Sequence, residues 1–316
     1  MGDPVNILLD IILPLTLILI MFGMGMTLTP KDFIRLKEYP RAIFAGLGGQ
    51  LLLLPIVGAA LAVLWNLSPE LAVGLIILAA CPGGTTSNLI SHLAHGDRPL
   101  SITLTAVNSC IVVFTIPLFA ALAIGYFADG GTAGVPVPVA EVMGGVFIFT
   151  IVPVGLGMIV RSIAPRFSTR IGPLYDRFAA LSFLLIVLII LWTTRQDLFA
   201  MLPAVGSVTI ALSLIMTGLG LFLGFILALK LRQALTIGIE VGIQNTVLGM
   251  AVAGLLTGVG GLNGMVMMIP SALYGLIMFA PAIALIAFGR RRLSSPLAEP
   301  KTSEHPSRTP QQQPSS

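Results

Sequence analysis

Glu240 is the residue around which the chemistry of this sequence gathers. It lies in Gly238-Ile-Glu-Val-Gly-Ile-Gln-Asn245, inside an apolar stretch from about Ala234 to Leu256. Lys230 and Arg232 precede the stretch and mark a membrane surface. A helix starting there carries Glu240 ~12 Å inward at the standard rise, towards the middle of a hydrocarbon layer ~30 Å thick. A carboxylate at that depth is costly and marks a functional site by default. The basic residues fall in connections, at segment ends or in the tail, so no buried Lys or Arg is on offer. His92 and His95 end another segment, and His305 is in the tail. A proton or a bound metal cation must then meet the charge. The alternative is a permanently protonated glutamate bonded to a neighbouring carbonyl. Gly238 and Gly242 permit the backbone to leave helical geometry beside it.

Three other apolar segments carry polar groups. Cys81-Pro-Gly-Gly-Thr-Thr-Ser-Asn88 combines a missing backbone donor at Pro82 with the low unwinding cost of Gly83 and Gly84. Ser87 and Asn88 supply neutral oxygens just after this break. Ser101, Thr105 and Asn108 are spaced i, i+4 and i+7 and share one helix face. Gln50 follows Gly48 and Gly49. For these last groups, hydrogen bonding between packed helices is an equally good account.

The elements that must hold these residues are membrane helices. The chain has 316 residues, of which 56% are hydrophobic and 9% charged, and its mean hydropathy is +1.00. That composition describes an all-α polytopic membrane protein. Nine spans of membrane length are expected, at about 7–29, 41–65, 70–95, 98–126, 137–161, 174–194, 203–229, 233–256 and 262–288. The first reads as a retained span rather than a cleaved signal, because Lys31, Arg35 and Lys37 follow it. Basic residues recur after every second span, with Arg195 as the exception, so the N-terminus is expected outside and the C-terminus in the cytoplasm. The net charge of +4 sits in these flanking connections and does not point to nucleic acid. Cys81 and Cys110 both lie in apolar segments and imply no disulfide. Residues 130–138 read as a Gly/Pro-rich external loop. The Ser/Pro/Gln-rich stretch 294–316 reads as a disordered cytoplasmic tail after a membrane domain over 1–293.

The third and eighth spans are the interrupted ones. Five spans apart, they cross in opposite directions. Interrupted spans at corresponding positions of two inverted halves are the best sequence pointer to a secondary transporter's binding site. Spans one to four then correspond to six to nine, and the fifth is unpaired.

At these residues the chain resembles the bile acid:sodium symporter family. Phe22-Gly-Met-Gly-Met-Thr-Leu28, Cys81-Pro-Gly-Gly-Thr-Thr-Ser-Asn88, His95-Gly-Asp97 and Glu240-Val-Gly-Ile-Gln-Asn245 carry the likeness, which covers roughly 7–288. It looks like the nine-span, bacterial-type version. The resemblance implies inverted repeats with two discontinuous crossing helices. It implies a panel domain (about 7–29, 137–161 and 174–194) and a core domain (about 41–126 and 203–288). It implies two sodium ions, one held by Ser87, Asn88, Ser101, Thr105 and Glu240. The other would be held by Gln50, Glu240 and Gln244 with the carbonyls of Val241 and Ile243. Thr85 and Asn245 would face the substrate.

The function expected is a sodium-coupled symporter that imports an organic anion by alternating access. A bile acid, a steroid sulfate or a small carboxylate is the implied cargo. The alternative is a proton-coupled or arsenite-type carrier on a related fold. An intramembrane enzyme would need a nucleophile or metal ligands beside a base, and Glu240 has no such neighbours in sequence. A receptor or scaffold needs neither broken helices nor a buried carboxylate. The partners expected are the anion and the lipid bilayer, in the plasma (inner) membrane, with no obligate protein partner and no nucleic acid.

Overall fold

The computed structural model describes residues 11–128 and 137–293. Most of the expected external loop, the tail 294–316 and the first part of the expected first span lie outside them. The described residues are helical throughout, with turns between. Along the chain these helices are α1 (Leu13–Gly25), α2 (Pro30–Ile34), α3 (Pro40–Leu64), α4 (Pro69–Ala80), α5 (Thr85–Leu93), α6 (Arg98–Phe127), α7 (Val139–Ile163), α8 (Pro165–Thr193), α9 (Arg195–Ile226), α10 (Leu231–Gly242), α11 (Thr246–Leu255), α12 (Gly264–Ile277) and α13 (Phe279–Leu293). Six of the described helical stretches are long and apolar enough to cross a membrane, and eight if each sharply bent pair is one span. The bent pairs are α1 with Pro30–Lys37, at 79°, and α4 with α5, at 62°.

Proline and capping chemistry explain most boundaries. Pro30, Pro40, Pro69 and Pro165 open helices, where the missing N–H would have had no partner anyway. Asp97 caps α6 by accepting from the Leu100 N–H at 3.2 Å. Two long helices, α3 and α7, contain a wide π turn, at Gly49–Leu53 and Phe147–Ile151. Each lies just before a proline, Pro55 and Pro153, which cannot donate to the helical ladder.

The interrupted helices form the centre. Every residue from Ala234 to Ala253 is buried, as is α4 from Leu71 to Ala80. Polar segments with such burial are shielded from lipid by other helices, which is where non-helical backbone at membrane depth is tolerated. Apolar side chains such as Phe44, Leu64, Ile163 and Trp192 cover the outside.

One expectation changes here. Gly238 and Gly242 stay helical, and the break in the eighth span comes after them, at Ile243–Asn245. Their lack of a side chain serves packing. A Cβ on Gly238 would lie 2.8 Å from the Leu221 side chain, and one on Gly242 would lie 2.1 Å from Thr217 Oγ1. These glycines let α10 press against α9.

Candidate ion and anion site

The two breaks are built differently and meet. After α4 the chain turns extended at Cys81 (ψ 153°) and again at Gly84 (φ −152°), with donor-free Pro82 between. Ser87 then holds the start of α5, donating to the Gly84 carbonyl at 2.8 Å. After α10 the chain is extended at Ile243 (φ −112°, ψ 119°). The Tyr274 hydroxyl of α12 donates to the exposed end of that helix, the Gly242 carbonyl, at 2.9 Å. Asn245 caps α11 by accepting from the Leu248 N–H at 3.1 Å. Its own backbone N–H donates to the Pro82 carbonyl at 2.7 Å. The linkers of the two broken helices are thus joined.

Beside this crossing, α5, α6 and α10 bring Glu240, Ser101, Thr105 and Asn88 together. The Ser101 hydroxyl donates to Glu240 Oε1, and the Thr105 hydroxyl reaches Oε2 at 2.8 Å. Asn88 Oδ1 lies 2.8 Å from Ser101 Oγ and 3.4 Å from Thr105 Oγ1. A hydroxyl has one proton to give. If both protons serve the carboxylate, Asn88 Oδ1 faces oxygen lone pairs. Glu240, Ser101 and Thr105 are buried, and Asn88 is half-buried. An oxygen-rich, proton-poor cluster of this kind suits a hard cation.

Gly83 adjoins the cluster. A Cβ there would lie 2.9 Å from Glu240 Oε2, 3.0 Å from Ser87 Oγ and 3.6 Å from Gln50 Nε2. Gln50 comes from the wide turn of α3 and donates to Gln244 Oε1 at 3.4 Å. Gln244 donates in turn to the Val241 carbonyl at 2.8 Å. Ile243 is in the extended linker between them. Gln50 and Ser87 thus flank Glu240 across the space that Gly83 leaves open.

A cavity of about 260 Å³ adjoins the crossing. Thr85 and Asn245 both line it, with Met21, Met24, Phe183 and Met278 as its apolar wall. The first residues of α5 and of α11 both border this space. Two helix N-termini attract negative charge. Among the described residues the lining includes no Lys, Arg or His, so an anionic group would meet neutral donors and helix ends there.

Asn108 shares the face of Ser101 and Thr105, yet its buried amide bonds to neither of them. At i+3 from Thr105 it is one further turn along α6. Sequence reasoning missed Tyr274 and gave Gly83 only a role in the break. A tyrosine that ends a helix 32 residues away has no local signal. Among the described residues no group of three or more His, Cys, Asp or Glu converges. The donors at Glu240 are therefore hydroxyl, amide and carboxylate oxygens.

A family model described as the Sodium Bile acid symporter family matches residues 14–201. The chain belongs to that family. It is 30% identical over 239 residues to the uncharacterized sodium-dependent transporter YocS of Bacillus subtilis, covering 74% of this chain and 71% of the relative. It is 27% identical over 241 residues to the ileal sodium/bile acid cotransporter of Oryctolagus cuniculus, covering 76% and 68%. The probable chloroplastic sodium/metabolite cotransporter BASS1 of Oryza sativa subsp. japonica is 29% identical over 237 residues, covering 74% and 56%. Family membership makes this an integral membrane transporter rather than an enzyme. Sodium is the coupling ion the family implies.

Proposed function

We propose that the protein is a sodium-coupled symporter that imports a small organic anion by alternating access. The observation that carries this reading is one buried carboxylate, Glu240, to which the hydroxyls of Ser101 and Thr105 donate, and we read two sets of neutral oxygens as sharing it. The first set is Ser87, Asn88, Ser101 and Thr105, with Ser101 and Thr105 bonded to Glu240. The second is Gln50 and Gln244 with the carbonyls of Val241 and Ile243. Each set holds one sodium ion, so two ions enter per cycle. A proton needs one acceptor, and an array of neutral oxygens around the carboxylate favours a metal cation over the proton-coupled or arsenite-type alternative.

The anion sits in the cavity at the crossing, with Thr85 and Asn245 against its charged group and the Met/Phe wall against its apolar part. Sodium beside the crossing supplies the positive charge that the cavity lining lacks. A bile acid, a steroid sulfate and a small carboxylate all fit this description of a charged head and an apolar body. Transport proceeds by movement of the core (about 41–126 and 203–288) against the panel (about 7–29, 137–161 and 174–194). The close approach of α1 to α7 supports that grouping: a Cβ on Gly25 would meet the Val154 carbonyl at 2.1 Å. In this reading the chain has nine spans, with α1 and α8 each crossing once. The N-terminus is outside and the C-terminus in the cytoplasm, in the plasma (inner) membrane.

The test uses purified protein and Glu240→Gln. Sodium chloride is titrated against choline chloride while thermal unfolding is followed, and a ligand that binds the native state raises the midpoint by mass action. Wild type is expected to be stabilised by sodium and the variant not. A panel of carboxylates and sulfates is then screened with sodium present. Sodium stabilisation of Glu240→Gln equal to that of wild type would overturn the reading.

A further inference from the structure

A second polar layer lies one helical turn from Glu240, and it gathers on a single hydroxyl, that of Thr236. Thr236 and Ser91 are both fully buried. The Thr236 hydroxyl donates to the Arg232 carbonyl of its own helix at 3.0 Å. It accepts from the backbone N–H of Asp97 at 2.8 Å, and Ser91 Oγ lies 3.0 Å away. With its proton given to Arg232, Thr236 Oγ1 accepts from both Ser91 and Asp97, so its bonding capacity is filled.

The registers of these three residues match those of the ligand residues. Thr236 is four residues before Glu240 on α10. Ser91 is four residues after Ser87 on α5. Asp97 is four residues before Ser101 and caps α6 through Leu100. Residues four apart on a helix stand one above the other. Each helix that brings an oxygen to the cluster is therefore tied to the others one turn from that oxygen, through one atom. Gly96 leaves the room: a Cβ there would lie 2.6 Å from Thr236 Oγ1 and 2.7 Å from Ser91 Oγ.

We infer that Thr236 is a positioning residue for the cation site, setting the separation of α5, α6 and α10 and so the affinity and size selectivity for sodium. This rests on the reading of Glu240 as a sodium ligand. A cation of fixed radius demands fixed ligand spacing, and partners outside the ligand shell typically change metal affinity by about 10–100-fold when removed. The layer touches no part of the anion cavity, so its effect is on the ion rather than on the anion.

The experiment titrates sodium chloride and, separately, lithium chloride against choline chloride, reading the concentration that gives half of the full thermal stabilisation. The proteins are wild type, Thr236→Val, Thr236→Ser, Ser91→Ala and Glu240→Gln. Thr236→Val keeps the shape and removes the shared hydroxyl. It is expected to need about tenfold more sodium and to distinguish sodium from lithium less well than wild type. Thr236→Ser, which keeps the hydroxyl, is expected to follow wild type in both. Ser91→Ala removes one of the two ties from Thr236 to other helices and is expected to shift the sodium requirement in the same direction by less. It decides the matter if Thr236→Val does not fold. Wild-type sodium requirement and selectivity in Thr236→Val, or in Ser91→Ala if that variant stands alone, overturns the inference. A rise in Thr236→Ser equal to that in Thr236→Val overturns it as well. Glu240→Gln separates the two levels. If it still responds to sodium, the site reading fails. If it does not respond while Thr236→Val matches wild type, the positioning role fails alone.

Discussion

The backbone N–H of Asn245 donates to the Pro82 carbonyl at 2.7 Å, and this bond joins the gaps of two helices that are 163 residues apart in the chain. Pro82 removes a donor and Asn245 adds one, so part of the polar backbone exposed by each break is answered by the other. The Asn245 side chain meanwhile caps α11, and the residue borders the cavity at the crossing. One residue thus holds the crossing with its main chain and caps a helix beside the cavity with its side chain.

That division gives a prediction at Asn245. Asp caps a helix as well as Asn does, and a negative charge at a helix N-terminus is favourable. Asn245→Asp is expected to fold and to keep sodium-dependent stabilisation. It is expected to lose uptake, since its charge would face an anion in the same cavity. Asn245→Ala loses the cap and is expected to be less stable by ~1 kcal/mol. Uptake and thermal unfolding of both variants in parallel check this. Undiminished uptake by Asn245→Asp would remove Asn245 from the anion site.

The carboxylate and the breaks were legible in the sequence for a physical reason. Ionisable residues are rare in membrane helices, so Glu240 stands out, and Pro82-Gly-Gly does so because four polar residues, Thr85 to Asn88, follow it directly. Helical spacing likewise put Ser101 and Thr105 on one face. Spacing alone could not say how far along that face the cluster extends, and Asn108 lies beyond it. Nor could it distinguish a glycine that unwinds from one that packs. Gly238 and Gly242 resemble a break, yet their role depends on Leu221 and Thr217 of another helix. Gly83, Tyr274 and Thr236 act through long-range contacts that no local pattern records.

The two proposed ion positions predict coupled sodium dependence. Thr105→Ala takes one neutral oxygen from the first set and Gln50→Ala one from the second. Each is expected to raise the sodium requirement for uptake and make its dependence less steep. Because both sets share Glu240, their effects in the double variant should not add. Uptake against sodium concentration for the four proteins measures this. Strict additivity would count against a shared carboxylate.

Orientation is checked by labelling. Asn66 and Glu38 are both exposed at the ends of connections, on opposite sides if the basic connections face the cytoplasm. In a Cys110→Ala background, a cysteine at position 66 is expected to react with an impermeant thiol reagent added outside intact cells. A cysteine at position 38 is expected to react only after lysis. The reverse pattern would invert the topology.

Charge should move during the cycle. Two sodium ions entering with one monoanion carry one net positive charge inward, provided Glu240 returns with its charge unchanged. One charge across 100 mV is worth ~2.3 kcal/mol. Uptake into vesicles is therefore expected to rise when a potassium gradient with valinomycin makes the interior negative. Uptake independent of potential would mean a neutral stoichiometry, such as one sodium ion per monoanion.

The two neighbouring glycines of the first break give the sharpest contrast. Neither has a positive φ, so alanine is allowed by the backbone at both. Their surroundings differ. A methyl group at position 83 would lie 2.9 Å from a Glu240 oxygen and 3.0 Å from Ser87 Oγ, inside the space between the two proposed ion positions. At position 84 it would meet nothing within 4 Å. Pro82 stays in both variants, and with it the main cause of the break. Gly83→Ala is therefore expected to insert and fold but to lose most of its stabilisation by sodium. Gly84→Ala is expected to respond to sodium as wild type does. Glycine-to-alanine changes of this kind also lower the entropy of the unfolded chain, by roughly 0.4–1 kcal/mol where no strain follows. Gly84→Ala should thus be slightly more stable than wild type without sodium. The deciding measurement is the sodium-induced rise in unfolding temperature of the two variants side by side. Equal and wild-type responses would mean that no ion occupies the space beside Gly83. Equal losses would mean that the break itself, not that space, is what sodium binding requires.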